Sequence, residues 1–185
     1  MKKYLSLILL TALVLGCEQP QDQASNPAPV TAAPTVDSSS QAKALMDQGM
    51  EFFAKEDVVN ALKSFDDAIK VDPNNADNYL VLGQIYLRLR NYDKAVDTFN
   101  AGSRVGPDHG EIFYFLGAAN AVRFHLSQGQ EAEAYKQEGI AAAQRAVEIF
   151  IKQKDEVRLK TSLALLKSLQ ENGDIGKTPP EVPTN

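Results

Sequence analysis

Apolar and polar positions divide the chain into four stretches. Tyr4 to Leu15 is an almost unbroken apolar run behind Lys2 and Lys3, and the chain turns abruptly polar after Gly16-Cys17. From Glu18 to about Gln41 large apolar residues nearly vanish, and Pro20, Pro27, Pro29 and Pro34 stand among Ala, Ser, Gln and Thr. Such a segment buries too little surface to repay its ordering entropy, so an extended, disordered tether is expected over 17–41. Between 42 and 173 apolar residues recur every three or four positions, the period of amphipathic helices. Asn172-Gly173 closes this stretch, and the tail 174–185, with Pro179, Pro180 and Pro183, is expected to be disordered.

Inside the helical stretch the pattern repeats. Gly49, Gly83 and Gly117 are 34 residues apart, and so are Ala61 and Ala95, Phe65 and Phe99, and Pro73 and Pro107. Around the glycines stand Leu45, Gln48 and Phe52, then Tyr79, Leu82 and Tyr86, then Phe113, Leu116 and Asn120, at matching offsets. This resembles the tetratricopeptide repeat family, whose 34-residue unit carries an aromatic, Leu-Gly, Tyr, Ala, Phe and Pro in that order. The resemblance implies an all-α superhelix of about three helix pairs. Units are expected over 42–75, 76–109 and 110–153. Gly49 with Ala61, and Gly83 with Ala95, are expected where paired helices approach most closely, with Phe65 and Phe99 on the inward stripe. Pro73 and Pro107 end the second helices, since proline cannot continue a helix.

The third unit departs from the pattern. Gly117 is on schedule, but the matching second-helix positions are Gly139, Ala143 and Ala146, about ten residues late, with the extra length expected around Leu126 to Lys136. That insertion is expected to lengthen both helices and their turn near Ser127-Gln128-Gly129-Gln130. A last helix over 155–172, with Val157, Leu159, Leu163, Leu166 and Leu169 apolar, is expected to cap the array.

The N-terminus carries a second resemblance. Two lysines, a short apolar core and a small residue have the order of a secretory signal, and the apolar core is too short for a membrane-spanning helix, which takes about 20 residues. Val14-Leu15-Gly16-Cys17 resembles the lipobox of bacterial lipoprotein precursors, although Leu15 is bulkier than usual before the glycine. The resemblance implies cleavage between Gly16 and Cys17, removal of residues 1–16, and acylation of Cys17, the chain's one cysteine. Two or more acyl chains hold a protein firmly on a bilayer where one does not. It implies a bacterial envelope location, and the outer membrane facing the periplasm if the source has two membranes.

Composition narrows the chemistry. Nineteen Lys and Arg against 24 Asp and Glu give a net charge of −5, without the basic cluster that nucleic acid requires. One cysteine excludes an intramolecular disulfide, and the two histidines, His109 and His125, have no second ligand at metal spacing. The acidic pairs Glu56-Asp57 and Asp66-Asp67 diverge along their elements instead of converging on a point. No cofactor, metal or catalytic activity is therefore expected, with a hydrolytic enzyme the least favoured reading.

Binding is expected instead. The family resemblance implies a concave groove lined by first helices: Lys43, Met46, Met50 and Phe53; then Asp77, Leu80, Gln84, Leu87 and Arg88; then Glu111, Tyr114, Phe115, Ala118 and Val122. Met46 and Met50 stand where one subgroup of the family carries the Lys and Asn that grip a C-terminal carboxylate. Methionine and aromatic residues suit an apolar or helical segment of another protein. The groove is either open or filled by the third unit or the last helix. The expected function is a membrane-anchored scaffold for an envelope protein or peptide, with an accessory regulator of a cell-wall enzyme as the alternative.

Overall fold

The structure is a computed structural model that describes residues 37–171. Gly16, Cys17, the segment before Asp37 and the tail after Glu171 lie outside the described residues. Among the described residues the chain forms seven α-helices and no strand: α1 (Ser38–Ala54), α2 (Val58–Val71), α3 (Ala76–Arg88), α4 (Tyr92–Val105), α5 (Gly110–Leu126), α6 (Gly129–Gln153) and α7 (Glu156–Gln170).

Five of the seven described helices start behind short polar side chains that satisfy otherwise unpaired backbone N–H groups; α5 and α6 do not. Asp57 accepts from the Asn60 N–H at 3.2 Å, Asn91 from Lys94 at 3.2 Å, and Asp155 from Arg158 at 3.0 Å. Asp37 does the same for Ser39, so α1 begins at Ser38, inside the segment expected to be tether up to residue 41. Helix ends fall where the sequence placed them. Asp72-Pro73 and Gly106-Pro107 stop α2 and α4. The turns within units one and two are closed by Glu56 (φ 61°) and Arg90 (φ 55°), 34 residues apart and both left-handed. The carboxylate of Asp57, next to Glu56, serves as a cap and not as half of an acidic pair.

Helices pair as α1 with α2, α3 with α4 and α5 with α6, and each pair stacks on the next through α2–α3, α4–α5 and α6–α7. In units one and two the small residues make room for a ring. A Cβ at Gly49 would lie 2.6 Å from the Phe65 ring, and one at Gly83 would strike the ring of Phe99. The glycines thus face the phenylalanine rings, and Ala61 and Ala95 are buried at 0% exposure. Phe65 and Phe99 are likewise fully buried, each worth about 1.5–3 kcal/mol of transfer free energy.

Unit three uses glycine differently. A Cβ at Gly117 would meet backbone, 3.2 Å from Ala143 N and Gly139 O, so α5 and α6 touch main chain to main chain. Ala143 stands where Phe65 and Phe99 stand earlier, and its small size allows that approach. Asn120, in the tyrosine's place, is 1% exposed; its Oδ1 accepts from Arg123 at 3.2 Å. The inserted residues lengthen α6 to 25 residues and α5 to 17, against 14 and 13 for α4 and α3. The turn itself shrinks to Ser127 and Gln128, shorter than expected.

The last helix packs on α6 and α5, as α5 packs on α4 and α3. Its buried residues are Ser162, Leu165 and Leu169, with Leu159 and Leu166 half-buried. Val157 and Leu163, two of the five apolar positions named for this helix, are 75% and 46% exposed.

Candidate functional site

The first helices α1, α3 and α5 stand side by side and present corresponding positions every 34 residues, with α7 continuing the row. Side-chain burial divides the expected groove lining. Met46, Leu80, Leu87, Phe115 and Ala118 are buried in the two apolar clusters of the domain and hold the array together. Phe99 of unit two stacks on Phe115 of unit three at 6.0 Å, and within α5 Tyr114 meets Phe115 edge-on at 5.2 Å. The exposed residues of that lining are Lys43, Met50 (43%), Asp77 and Arg88, with half-buried Phe53, Gln84, Glu111, Tyr114 and Val122.

Met50 and Phe53 lie one turn apart on α1, and Arg88 of α3 carries its guanidinium 6.0 Å from the Phe53 ring centroid. That placement offers a partner an apolar surface with a cation at its border. Among the described residues Arg88 has no carboxylate partner. Burial raises the phenol pKa of Tyr114 above its ordinary value, so the ring presents a neutral hydroxyl at physiological pH. Neither α6 nor α7 packs across α1 and α3, so the face between these two helices is not covered by the end of the array.

The outer members of the row are tied by charge. His109 Nε2 lies 2.9 Å from Asp77 Oδ1, linking the starts of α5 and α3. Arg158 of α7 donates to Glu111 of α5 at 2.8 Å and to Asp155 at 2.7 Å. Lys43 pairs with Asp47 one turn along α1. Exposed pairs of this kind contribute about 0–1 kcal/mol each, so they adjust register more than they hold the fold.

A separate cleft of about 430 Å³ opens where the lengthened α5–α6 tip meets the α3–α4 turn, lined in part by Arg90, Tyr92, Asp93, Arg123, Leu126 and Tyr135. Arg123 lies flat over Tyr135, 3.7 Å from the ring centroid, with Nε 3.0 Å from Asp93 Oδ1. Tyr135 donates to Glu131 at 2.6 Å. Arg123 Nε faces Asp93 as an ion pair without hydrogen-bond geometry, and the cleft is a joint that ties the insertion to unit two. Nothing in the sequence pattern pointed to Arg123, because its partners lie in another unit and in the insertion.

His125 is exposed beside Phe124, and His109 occupies the N-cap position of α5 without a side-chain cap bond. Asp67 pairs with Lys70 at 2.7 Å. Among the described residues no group of three or more His, Cys, Asp or Glu is placed to hold a metal ion. No described helix is long and apolar enough to cross a membrane.

Residues 52–119 match the tetratricopeptide repeat family. No curated protein matches the sequence. Solved structures share the fold at low identity. The TPR2B domain of yeast Sti1, in a complex with pHsp70, is 16% identical with a TM-score of 0.60, covering 71% of this chain and 98% of that one. The type III secretion translocator chaperone SycD of Yersinia enterocolitica is 14% identical with a TM-score of 0.58, covering 73% and 96%. PcrH, bound to the chaperone-binding region of PopD, is 16% identical with a TM-score of 0.57, covering 70% and 91%. Gly49, Gly83 and Gly117 at 34-residue spacing, the ring of Phe65 or Phe99 seated on the first two, and the family match meet in one conclusion: the helical domain of this chain is a tetratricopeptide repeat array.

Proposed function

We propose that this protein is a lipid-anchored scaffold of the bacterial envelope that holds an apolar or helical segment of another protein on the face formed by α1, α3 and α5. The observation that carries the binding half is the uncovered strip where Met50 and Phe53 meet Arg88. Thioether and aromatic surface adapts to varied apolar partners, and the guanidinium selects segments with a carboxylate beside the apolar anchor. Structures of the same fold support it, since the Sti1 domain is in a complex with pHsp70 and PcrH with the chaperone-binding region of PopD. The anchoring half rests on the lipobox-like Val14-Leu15-Gly16-Cys17. Anchor and groove together describe a device that keeps a partner near the bilayer.

A photo-crosslinking residue at Met50 in the full chain, expressed in its host envelope, tests the binding face. A discrete adduct with one envelope protein is expected, and Arg88→Glu should reduce it severalfold. A crosslinker at Val59, exposed at 79% on α2, serves as the control. Adduct yields at Met50 no higher than at Val59 would sink the groove reading.

A further inference from the structure

Between 37 and 171 the chain has no cysteine and no tryptophan, so Met46 and Met50 hold all the sulfur of the helical domain. They stand one turn apart on α1 and differ in access. Met46 is 9% exposed and belongs to the larger apolar cluster, whereas Met50 is 43% exposed. A two-electron oxidant in solution therefore reaches one sulfur atom and is kept from the other. Met50 is also the one exposed large apolar side chain of the expected groove lining. Half-buried Phe53 follows it one turn along α1, with the Arg88 guanidinium over its ring. Accessible sulfur and candidate binding surface thus coincide in a single side chain.

We infer that Met50 is a modification site that switches the groove: hydrogen peroxide converts it to methionine sulfoxide, and the oxidised groove releases its apolar partner. The inference rests on the proposed binding function of that face. In the step, a lone pair of Met50 Sδ attacks one oxygen of the peroxide. The O–O bond breaks as the S–O bond forms, and sulfur gives up two electrons. The second oxygen takes the proton of the first and leaves as water. The thioether becomes a polar, chiral sulfoxide. A thioether gains by leaving water for an apolar segment, but a sulfoxide oxygen buried there loses its hydrogen bonds to water. Phe53 cannot replace them, since its ring supplies no N–H or O–H. Met46 stays reduced under the packing that covers it, so α1 remains seated while its outer surface changes. The change is confined to affinity, and it is reversible. Methionine sulfoxide reductases remove the oxygen as water and leave a dithiol oxidised to a disulfide. The proposed anchor sets the domain outside the cytosol, away from the thiol systems that keep sulfur reduced there.

Two measurements on the full chain test the switch. Hydrogen peroxide in increasing amounts, followed by trypsin, yields the peptide 44–55, which carries both methionines. Fragment masses are expected to place the added oxygen on Met50 at least about tenfold faster than on Met46, and at equal rates in urea. Equal rates in the folded chain, or no oxidation of Met50, overturn the proposal. The second measurement moves the photo-crosslinking residue to Gln84 of α3 and leaves Met50 in place. In isolated host envelope, peroxide is expected to lower the envelope-protein adduct at least about fivefold, and methionine sulfoxide reductase with dithiothreitol to restore it. An adduct that persists with Met50 oxidised, or stays lost once Met50 is reduced, overturns the switch and leaves the groove standing. In Met50→Leu, peroxide should leave the adduct at that variant's own untreated level. A loss as large as in wild type assigns the effect to another oxidised group and overturns the proposal. No Gln84 adduct before peroxide is a different failure, that of the groove reading, and the switch falls with it even where Met50 oxidises selectively.

Discussion

Gly83 sits under the Phe99 ring with no room for a methyl group, and the ring is fully buried. Its substitution therefore reports on the repeat register more directly than any surface change. Gly83→Ala gains helix propensity, worth about 1 kcal/mol, but forces the ring or the helix pair to move, at a cost of about 1–3 kcal/mol. The expected net effect is a lower midpoint in urea unfolding. Phe99→Leu in the same background should recover part of the loss, although Phe99→Leu alone destabilises. A Gly83→Ala midpoint equal to wild type would show that Phe99 does not sit there. Gly117 differs, because its neighbours are backbone atoms of α6 that no side-chain change can move aside.

Helix by helix, the array is held by apolar contacts within pairs and by caps at the starts. Asp155 is the clearest cap to isolate. The Arg158 backbone N–H, and next its guanidinium, hold the Asp155 carboxyl below the usual carboxylate range. A carboxylate with a depressed folded value stabilises the fold above the ordinary carboxylate pKa, near about 4, and that contribution is lost as pH falls through the lower folded value. Asp155→Asn keeps an acceptor for the helix start but removes the charge. Its melting temperature should thus fall less steeply than wild type between pH 5 and 2, measured by circular dichroism. An identical acid slope in the two proteins would show that the pairing with Arg158 is not populated. The longest helix, α6, carries its extra turns past the end of the repeat pattern, and Arg123 stacked on Tyr135 fastens them to α5.

At the scale of the whole molecule, location and reach are separate from the repeat fold. The proposed anchor predicts that Cys17→Ser leaves the protein in the soluble fraction or stalls it as an uncleaved precursor. Membrane fractionation with mass measurement of the N-terminal peptide checks this, and unchanged processing with unchanged membrane partition would remove the anchor. The folded domain should melt identically in both forms, because Cys17 lies well before Ser38, where the first described helix begins.

The 34-residue spacing was legible because it is local in sequence. Gly49, Phe65 and Pro73 recur at fixed offsets, and each is a steric or backbone requirement of one helix pair. The late match at Gly139, Ala143 and Ala146 was readable for the same reason. The groove was legible only as a set of positions. Met46 and Met50 are the same residue type one turn apart on α1, yet one is core and the other is surface. That division depends on which neighbour lies across from each, and neighbours in another unit leave no fixed spacing in the chain. The last helix shows the same limit. Val157, Leu159, Leu163, Leu166 and Leu169 have a helical period, but packing selects Ser162, Leu165 and Leu169 as the buried stripe. The sequence by itself determined the repeat and the ends of α2 and α4, and it carries the proposed lipid site, all through residues close together along the chain. Only the tertiary structure decided which apolar side chains the stacking of helices covers, and so which faces remain for a partner, because burial is a property of the neighbours and not of the residue.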